Sequence, residues 1–201
     1  MLSSTELISK HDMNAKPCTT PQLLSGAGQR AMRLAREPTA LLSGVLRIIH
    51  PEQYQAAQQI TDAVLGAELC QEALDTWGAV CFHGLSLIAN RQTPAHRDPL
   101  TNLCCFDIMT SVGSFREARM KLSHMGVDIN IRPGMVIALL GKVVRHEVAC
   151  IGERLCWAFY ARDGLYERFG IRAPPWMTQS FYVADERWLR PLPSLFQAPV
   201  D

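Results

Sequence analysis

From Gly78 to Ala161 the chain is a series of short apolar runs rich in Val, Ile, Phe and Cys. Each run is stopped by a turn residue, and no helix-length stretch intervenes. This restricts the fold more than any other feature. Strands in series without crossover helices pair antiparallel and close into a sandwich or barrel. The candidate strands are Ala79–Ala89, Leu103–Val112, Ala118–Ser123, Val127–Ile131, Met135–Leu140, Val143–Val148 and Leu155–Ala161, with Gly126, Pro133-Gly134 and Gly141 between them.

The chain before Gly78 reads as helical. Residues 1–38 are polar, hold Pro17, Pro21, Gly26 and Gly28, and read as a flexible N-terminal arm with one helical stretch at Gly28–Glu37. Helices are expected at Thr39–Ile49, from the first-turn proline Pro51 through Val64, and over Ala67–Trp77. Beyond Gly170 lie five of the twelve prolines, so 171–201 reads as a Pro-rich tail wrapped on the surface. The fold class is α+β: one domain at 39–170, with a helical front at 39–77 and a β core at 78–170.

Lys+Arg 20 against Asp+Glu 19 gives a net charge of +1, which argues against a strongly basic nucleic-acid coat and leaves room for a local basic groove. Arg116, Arg119 and Lys121, with Arg132 and Arg145, are the candidates, and an ordinary solvated strand face is the simpler account of them. Seven scattered cysteines with no CxxC speak for a reducing, intracellular setting. The opening MLSSTELISKHDMNAKPCTT has no basic-then-apolar signal pattern, and no apolar run approaches the ~20 residues of a membrane helix.

One constellation carries chemistry. His96-Arg97-Asp98 is an H-x-D triplet ending a strand-like run, His146 sits in another, and Arg154 opens the next. Residues i and i+2 of extended chain point the same way, so His96 and Asp98 can reach one ion. Two imidazoles and a carboxylate occupy one face of an octahedral Fe(II) and leave three positions open. Arg154 can fork onto the far carboxylate of a dicarboxylate co-substrate. With six histidines, such a triplet arises by chance in roughly a quarter of chains like this. Taken singly, His96 and Asp98 suit a surface loop, His146 a packed strand histidine and Arg154 a surface ion pair. Only their joint placement points to a metal centre.

The segments NRQTPAHRD, FDIMTSVGSF, GVDINIRPGMVIALLGKVVRHEV and GERLCWAFYARDGLYERFGIRAPPWM, between Asn90 and Met177, resemble the JBP/TET-like Fe(II)/2-oxoglutarate dioxygenases, most of all the expanded fungal group. LRIIHPEQY is similar to the lead-in to their catalytic core. The resemblance implies a double-stranded β-helix, or jelly roll, with helices outside. It implies His96, Asp98 and His146 as metal ligands, Arg154 as the grip on 2-oxoglutarate, and Asn90 as a polar contact to that co-substrate. Fe(II), 2-oxoglutarate and O2 are the implied cofactors. Pro99-Leu100 departs from the polar loop expected after the triplet, and no Cys/His spacing matches the zinc module of animal TET enzymes.

The implied function is oxidation of a methyl group on a nucleobase: 5-methylcytosine in DNA first, with N6-methyladenine and thymine behind it. A methylated-DNA partner and a nuclear place of work follow from that substrate. Two other readings stand beside it. One is the same oxygenase chemistry on a protein or small molecule. The other is an inactive β-helix domain that binds nucleic acid or another partner. The intact His96, Asp98, His146 and Arg154 favour turnover.

Overall fold

A computed structural model describes residues 5–6, 21–67 and 81–177. A short helix α1 (Pro21–Leu24) precedes two long ones, α2 (Gly26–Ile49) and α3 (Pro51–Gly66). Eight strands follow: β2 (Gly84–Ala89), β3 (Thr93–His96), β4 (Asp107–Val112), β5 (Phe115–Leu122), β6 (Val127–Asn130), β7 (Val136–Leu139), β8 (His146–Gly152) and β9 (Leu155–Tyr160). A last helix, α4, covers Asp163–Phe169, and a two-residue strand β1 (Thr5–Glu6) pairs with β2.

The strands form two antiparallel sheets in the orders β1-β2-β9-β4-β7 and β3-β8-β5-β6. Apart from the β5–β6 hairpin, the chain from β2 to β9 changes sheet at every step. Each sheet therefore interleaves early and late strands, as a jelly roll requires.

Alternation along the strands sorts the two faces of the first sheet. Leu85, Ile108 and Phe159 face outward and join Met32, Leu42, Leu46, Ala57, Ile60 and Val64 of the helices in one buried cluster. Between the sheets, Ala118, Met120 and Leu122 of β5 meet Ile137 and Leu139 of β7 in a second. The other inward positions of β2, β4 and β9 are left to line a cavity.

The helical front is fastened to the sheet by polar groups. His50 ends α2 and caps α3, its Nδ1 accepting from the Gln53 amide while its Nε2 donates to the Cys104 carbonyl. Gln53 Nε2 donates to the Phe106 carbonyl at 2.9 Å, and its Oε1 accepts from the Phe106 amide at 2.8 Å. These bonds hold the loop that delivers β4.

Several expectations are corrected. Residues 26–38 are the first half of α2 rather than arm. Pro38 lies inside that helix, where it removes one amide donor. The chain stays helical because Pro38 is exposed and Met32 and Ala35 gain buried places on the same helix. The edge strand β3 was expected only as a strand-like run ending at the triplet, without bounds, since Pro94 weakens a strand pattern. At a sheet edge a proline costs no ladder bond on its open side. The helix α4 was missed as well. The expected helix at Ala67–Trp77 falls almost wholly outside the described residues, as does the tail beyond Met177. No helix among the described residues is long and apolar enough to cross a membrane.

Candidate active site

β3 and β8 are neighbours, and their register sets His96 opposite His146. A shift in that register between Thr93 and His96 brings the two rings to 4.3 Å between centroids. Each ring is fixed the same way. His96 Nδ1 donates to the Pro94 carbonyl at 2.9 Å, and His146 Nδ1 donates to the Val144 carbonyl at 3.0 Å. Holding the proton on Nδ1 leaves each Nε2 with a free lone pair, the form a metal takes.

Both Nε2 atoms point at Asp98, His96 at 3.5 Å from Oδ1 and His146 at 3.7 Å from Oδ2. One ligand atom from each of the three residues lies within 4.8 Å of the others. Asp98 is held by its amide, which donates to the Gly141 carbonyl. Gly141 is glycine for lack of room: a Cβ there would collide with the carboxylates of Asp98 and Asp107. Two imidazoles and one carboxylate on a single face suit Fe(II) by number and donor type.

The triad opens into a cavity of about 270 Å³. At one end lies Arg154, only 5% exposed. Its Nε donates to Ser111 Oγ at 3.0 Å, which aims the guanidinium along the inner face of β4. Cys156, two residues along β9, shares that end. At the other end are Asp107, Thr101, Tyr160 and Arg162. Pro99 and Leu100 line the cavity too, so the stiff pair after the H-x-D triplet lies beside His96, Asp98 and His146.

Asn90 takes a different place from the one expected. It does not line the cavity. Its Oδ1 accepts from the Arg154 amide at 2.7 Å, and its own amide donates to the Arg154 carbonyl at 2.8 Å. To do so it adopts a left-handed backbone with φ 50°, which asparagine tolerates better than most residues. Asn90 therefore positions Arg154 from behind.

Sequence reasoning also missed Asp107 and Arg162. Asp107 is 6% exposed, and neither carboxylate oxygen has a hydrogen-bond partner. Burial, and then the neighbouring Asp98 carboxylate, push its carboxyl well above the usual range. A lone aspartate opening an apolar strand carries no motif. Only the fold reveals which way it faces.

Arg119 and Lys121 are exposed on β5, and Lys121 stands opposite Glu147 on one side and Asp128 on the other. Cys81, Cys105 and Cys156 are buried and free, and burial pushes the first two thiols up to about 12.

Residues 29–163 match the family Tet_JBP, described as the oxygenase domain of the 2OGFeDO superfamily. The chain belongs to this family. A solved structure of NgTET1 in complex with 5mC DNA is similar in fold, with a TM-score of 0.58 at 16% identity, over 90% of this chain and 66% of that one. None of the curated protein sequences matches this chain. The jelly roll expected from the resemblance is the fold observed, and the domain is a TET/JBP-like oxygenase domain of the 2-oxoglutarate and Fe(II) superfamily.

Proposed function

We propose that the chain oxidises the methyl group of a nucleobase, 5-methylcytosine in DNA first, with His96, Asp98 and His146 holding Fe(II) and Arg154 holding 2-oxoglutarate. The observation that carries this reading is the convergence of both Nε2 atoms on Asp98 in a cavity that also contains a buried arginine. When bound, Fe(II) with 2-oxoglutarate and O2 supplies oxidative decarboxylation to succinate and CO2, coupled to hydroxylation of a C–H bond.

The protein's own part is placement. The Pro94 and Val144 carbonyls hold the two imidazole rings in orientation. Ser111 and Asn90 set Arg154, whose paired N–H groups suit the far carboxylate of the co-substrate. The apolar walls, Ile88, Met109, Val148 and Ala158, keep water away from the reacting groups. No side chain is needed as a general base. Support for methylated DNA comes from the likeness to NgTET1, solved with 5mC DNA. A duplex base must leave its stack to enter a cavity of this kind.

The test is an incubation of the full chain with Fe(II), 2-oxoglutarate and air. Duplexes carrying 5-methylcytosine, N6-methyladenine or plain thymine are offered separately. Succinate is counted and nucleosides are read by mass spectrometry. An oxidised base that needs both iron and 2-oxoglutarate is the expected result. Succinate without an oxidised base would move the substrate to a protein or small molecule. No succinate above an Asp98→Ala control, from protein shown to hold iron, would leave a binding domain.

A further inference from the structure

The helix α2 has two apolar faces, and the fold covers one. Met32, Ala35, Leu42 and Leu46 are buried in the cluster that joins the helices to the first sheet. Leu34, Leu41 and Ile48 are instead 76%, 68% and 61% exposed. They recur every seven residues, so they share one line along the helix, with Pro38 and Val45 between them. At the turn of an α-helix this line stands about a third of a revolution from the buried face and runs about 21 Å. Single exposed leucines are normal, but a continuous apolar line of this length marks a surface that another segment covers.

The chain returns to one end of that line. After α4, Ile171 and Ala173 pack on the same cluster as α2, and the Pro175 carbonyl lies against His50, two residues beyond Ile48. The described chain stops shortly after, at Met177. A helix with its side chains is about 10–12 Å across, which three or four extended residues can pass round. Residues 178–201 follow, and about seven extended residues equal the length of the line. That segment is rich in large apolar residues, among them Phe181, Trp188, Leu192 and Phe196. It also carries Asp185 and Glu186, whereas α2 holds Arg30, Arg33, Arg36 and Arg47 against Glu37 alone.

We propose that residues 178–201 dock on this second face of α2, with apolar side chains on the line from Ile48 back to Leu34 and the Asp185-Glu186 pair toward the arginines. Eight extended residues separate Met177 from Asp185, about 26 Å of reach, which matches the distance from Ile48 to the Arg33 and Arg36 end. Burial of the line supplies the hydrophobic part of the docking energy, and the charges set its direction. This inference does not depend on the nucleobase reading.

The segment contains its own probe. Trypsin cuts after Arg187, and Pro191 spares the bond after Arg190. Three full chains are compared: wild type, Leu41→Glu, and Ile151→Glu, which places the same charge at an exposed site on β8 in the other sheet. Each is first checked for cooperative unfolding, and its mass in solution is read by light scattering. Cleavage between Arg187 and Trp188 is then timed by mass spectrometry at limiting trypsin, beside a synthetic peptide of residues 178–201. Wild type is expected to be monomeric and cut about tenfold or more slowly than the peptide, because docked chain must open before it is cleaved. Leu41→Glu raises the rate about fivefold or more, and Ile151→Glu leaves it within about twofold. If Leu41→Glu fails to fold, Phe181→Ala with Leu192→Ala changes the segment alone. Its rate, set against a peptide with the same substitutions, should then approach that of the peptide.

The proposal is overturned if the wild-type segment is cut as fast as the peptide, or if Leu41→Glu leaves its protection intact. Equal loss of protection in Ile151→Glu also overturns it, since that loss would be general loosening. A wild-type dimer that Leu41→Glu dissociates without changing the cleavage rate overturns it and assigns the face to a second copy of the chain.

Discussion

At the scale of single residues, the proposed metal ligands and the proposed co-substrate grip are separable. Asp98 is the carboxylate on which both imidazoles converge. Asp98→Ala is expected to abolish Fe(II) binding and turnover together, checked by anaerobic metal titration and succinate release. Arg154 touches neither histidine. Arg154→Ala is expected to keep iron and raise the KM for 2-oxoglutarate by about tenfold or more, the cost of a charge-assisted hydrogen-bonded pair. Gly141→Ala tests the crowding behind the triad. Its methyl group would enter the space of the Asp98 and Asp107 carboxylates. It should weaken Fe(II) binding measurably while leaving the helical content seen by circular dichroism unchanged.

At the scale of elements, the helices act on the site through the loop before β4. Gln53 exchanges two hydrogen bonds with the Phe106 backbone, immediately before Asp107. Gln53 is fully buried, so Gln53→Ala leaves an amide and a carbonyl unmet and a small hole. The expected loss is about 2–3 kcal/mol of unfolding free energy in a urea titration. A loss under about 0.5 kcal/mol would mean that water takes over those bonds. In α2, Pro38 is exposed and supplies no amide donor. Pro38→Ala is expected to raise stability by about 1 kcal/mol or more in the same titration, since alanine restores the donor and the helix is already formed.

At the scale of the whole molecule, two buried histidines couple folding to pH. His83 is fully buried on the Thr61 hydroxyl, and burial holds it down to about 4. Burial also lowers His50, against the Cys104 carbonyl that favours its charge. Both stay neutral in the folded protein and take up protons once unfolded, so the unfolded state binds more protons below the ordinary histidine value. Stability is therefore fully present above about pH 6.5 and declines as pH falls toward 4, with His83 alone contributing on the order of 3 kcal/mol. Urea unfolding of wild type and His83→Phe at pH 7 and pH 4.5 checks this. The variant should lose less stability between the two pH values, and an equal loss would clear His83 of the effect.

Much of this was legible in the residues. Period-two alternation and turn residues are local signals, so seven of the eight core strands could be read from them. The triplet His96-Arg97-Asp98 is legible because its members share a short stretch of chain. The bounds of β3 were obscured by Pro94, whose penalty depends on whether a strand lies at an edge. The length of α2 was hidden by Pro38, whose penalty is outweighed by burial that no local window contains. Asn90 was placed by position alone, and only its hydrogen bonds reveal that it serves the Arg154 backbone. The kind of sheet, the donor types of the proposed metal ligands and the family follow from residue pattern alone. Which side chains share the cavity follows from the packed fold: His146 opposite His96, Arg154 at one end, Asp107 and Arg162 at the other. The reason is physical. Residue type and spacing determine local geometry, whereas the pairing of β3 with β8 and of β4 with β9 joins parts of the chain far apart in sequence, and it is settled by how the whole core packs.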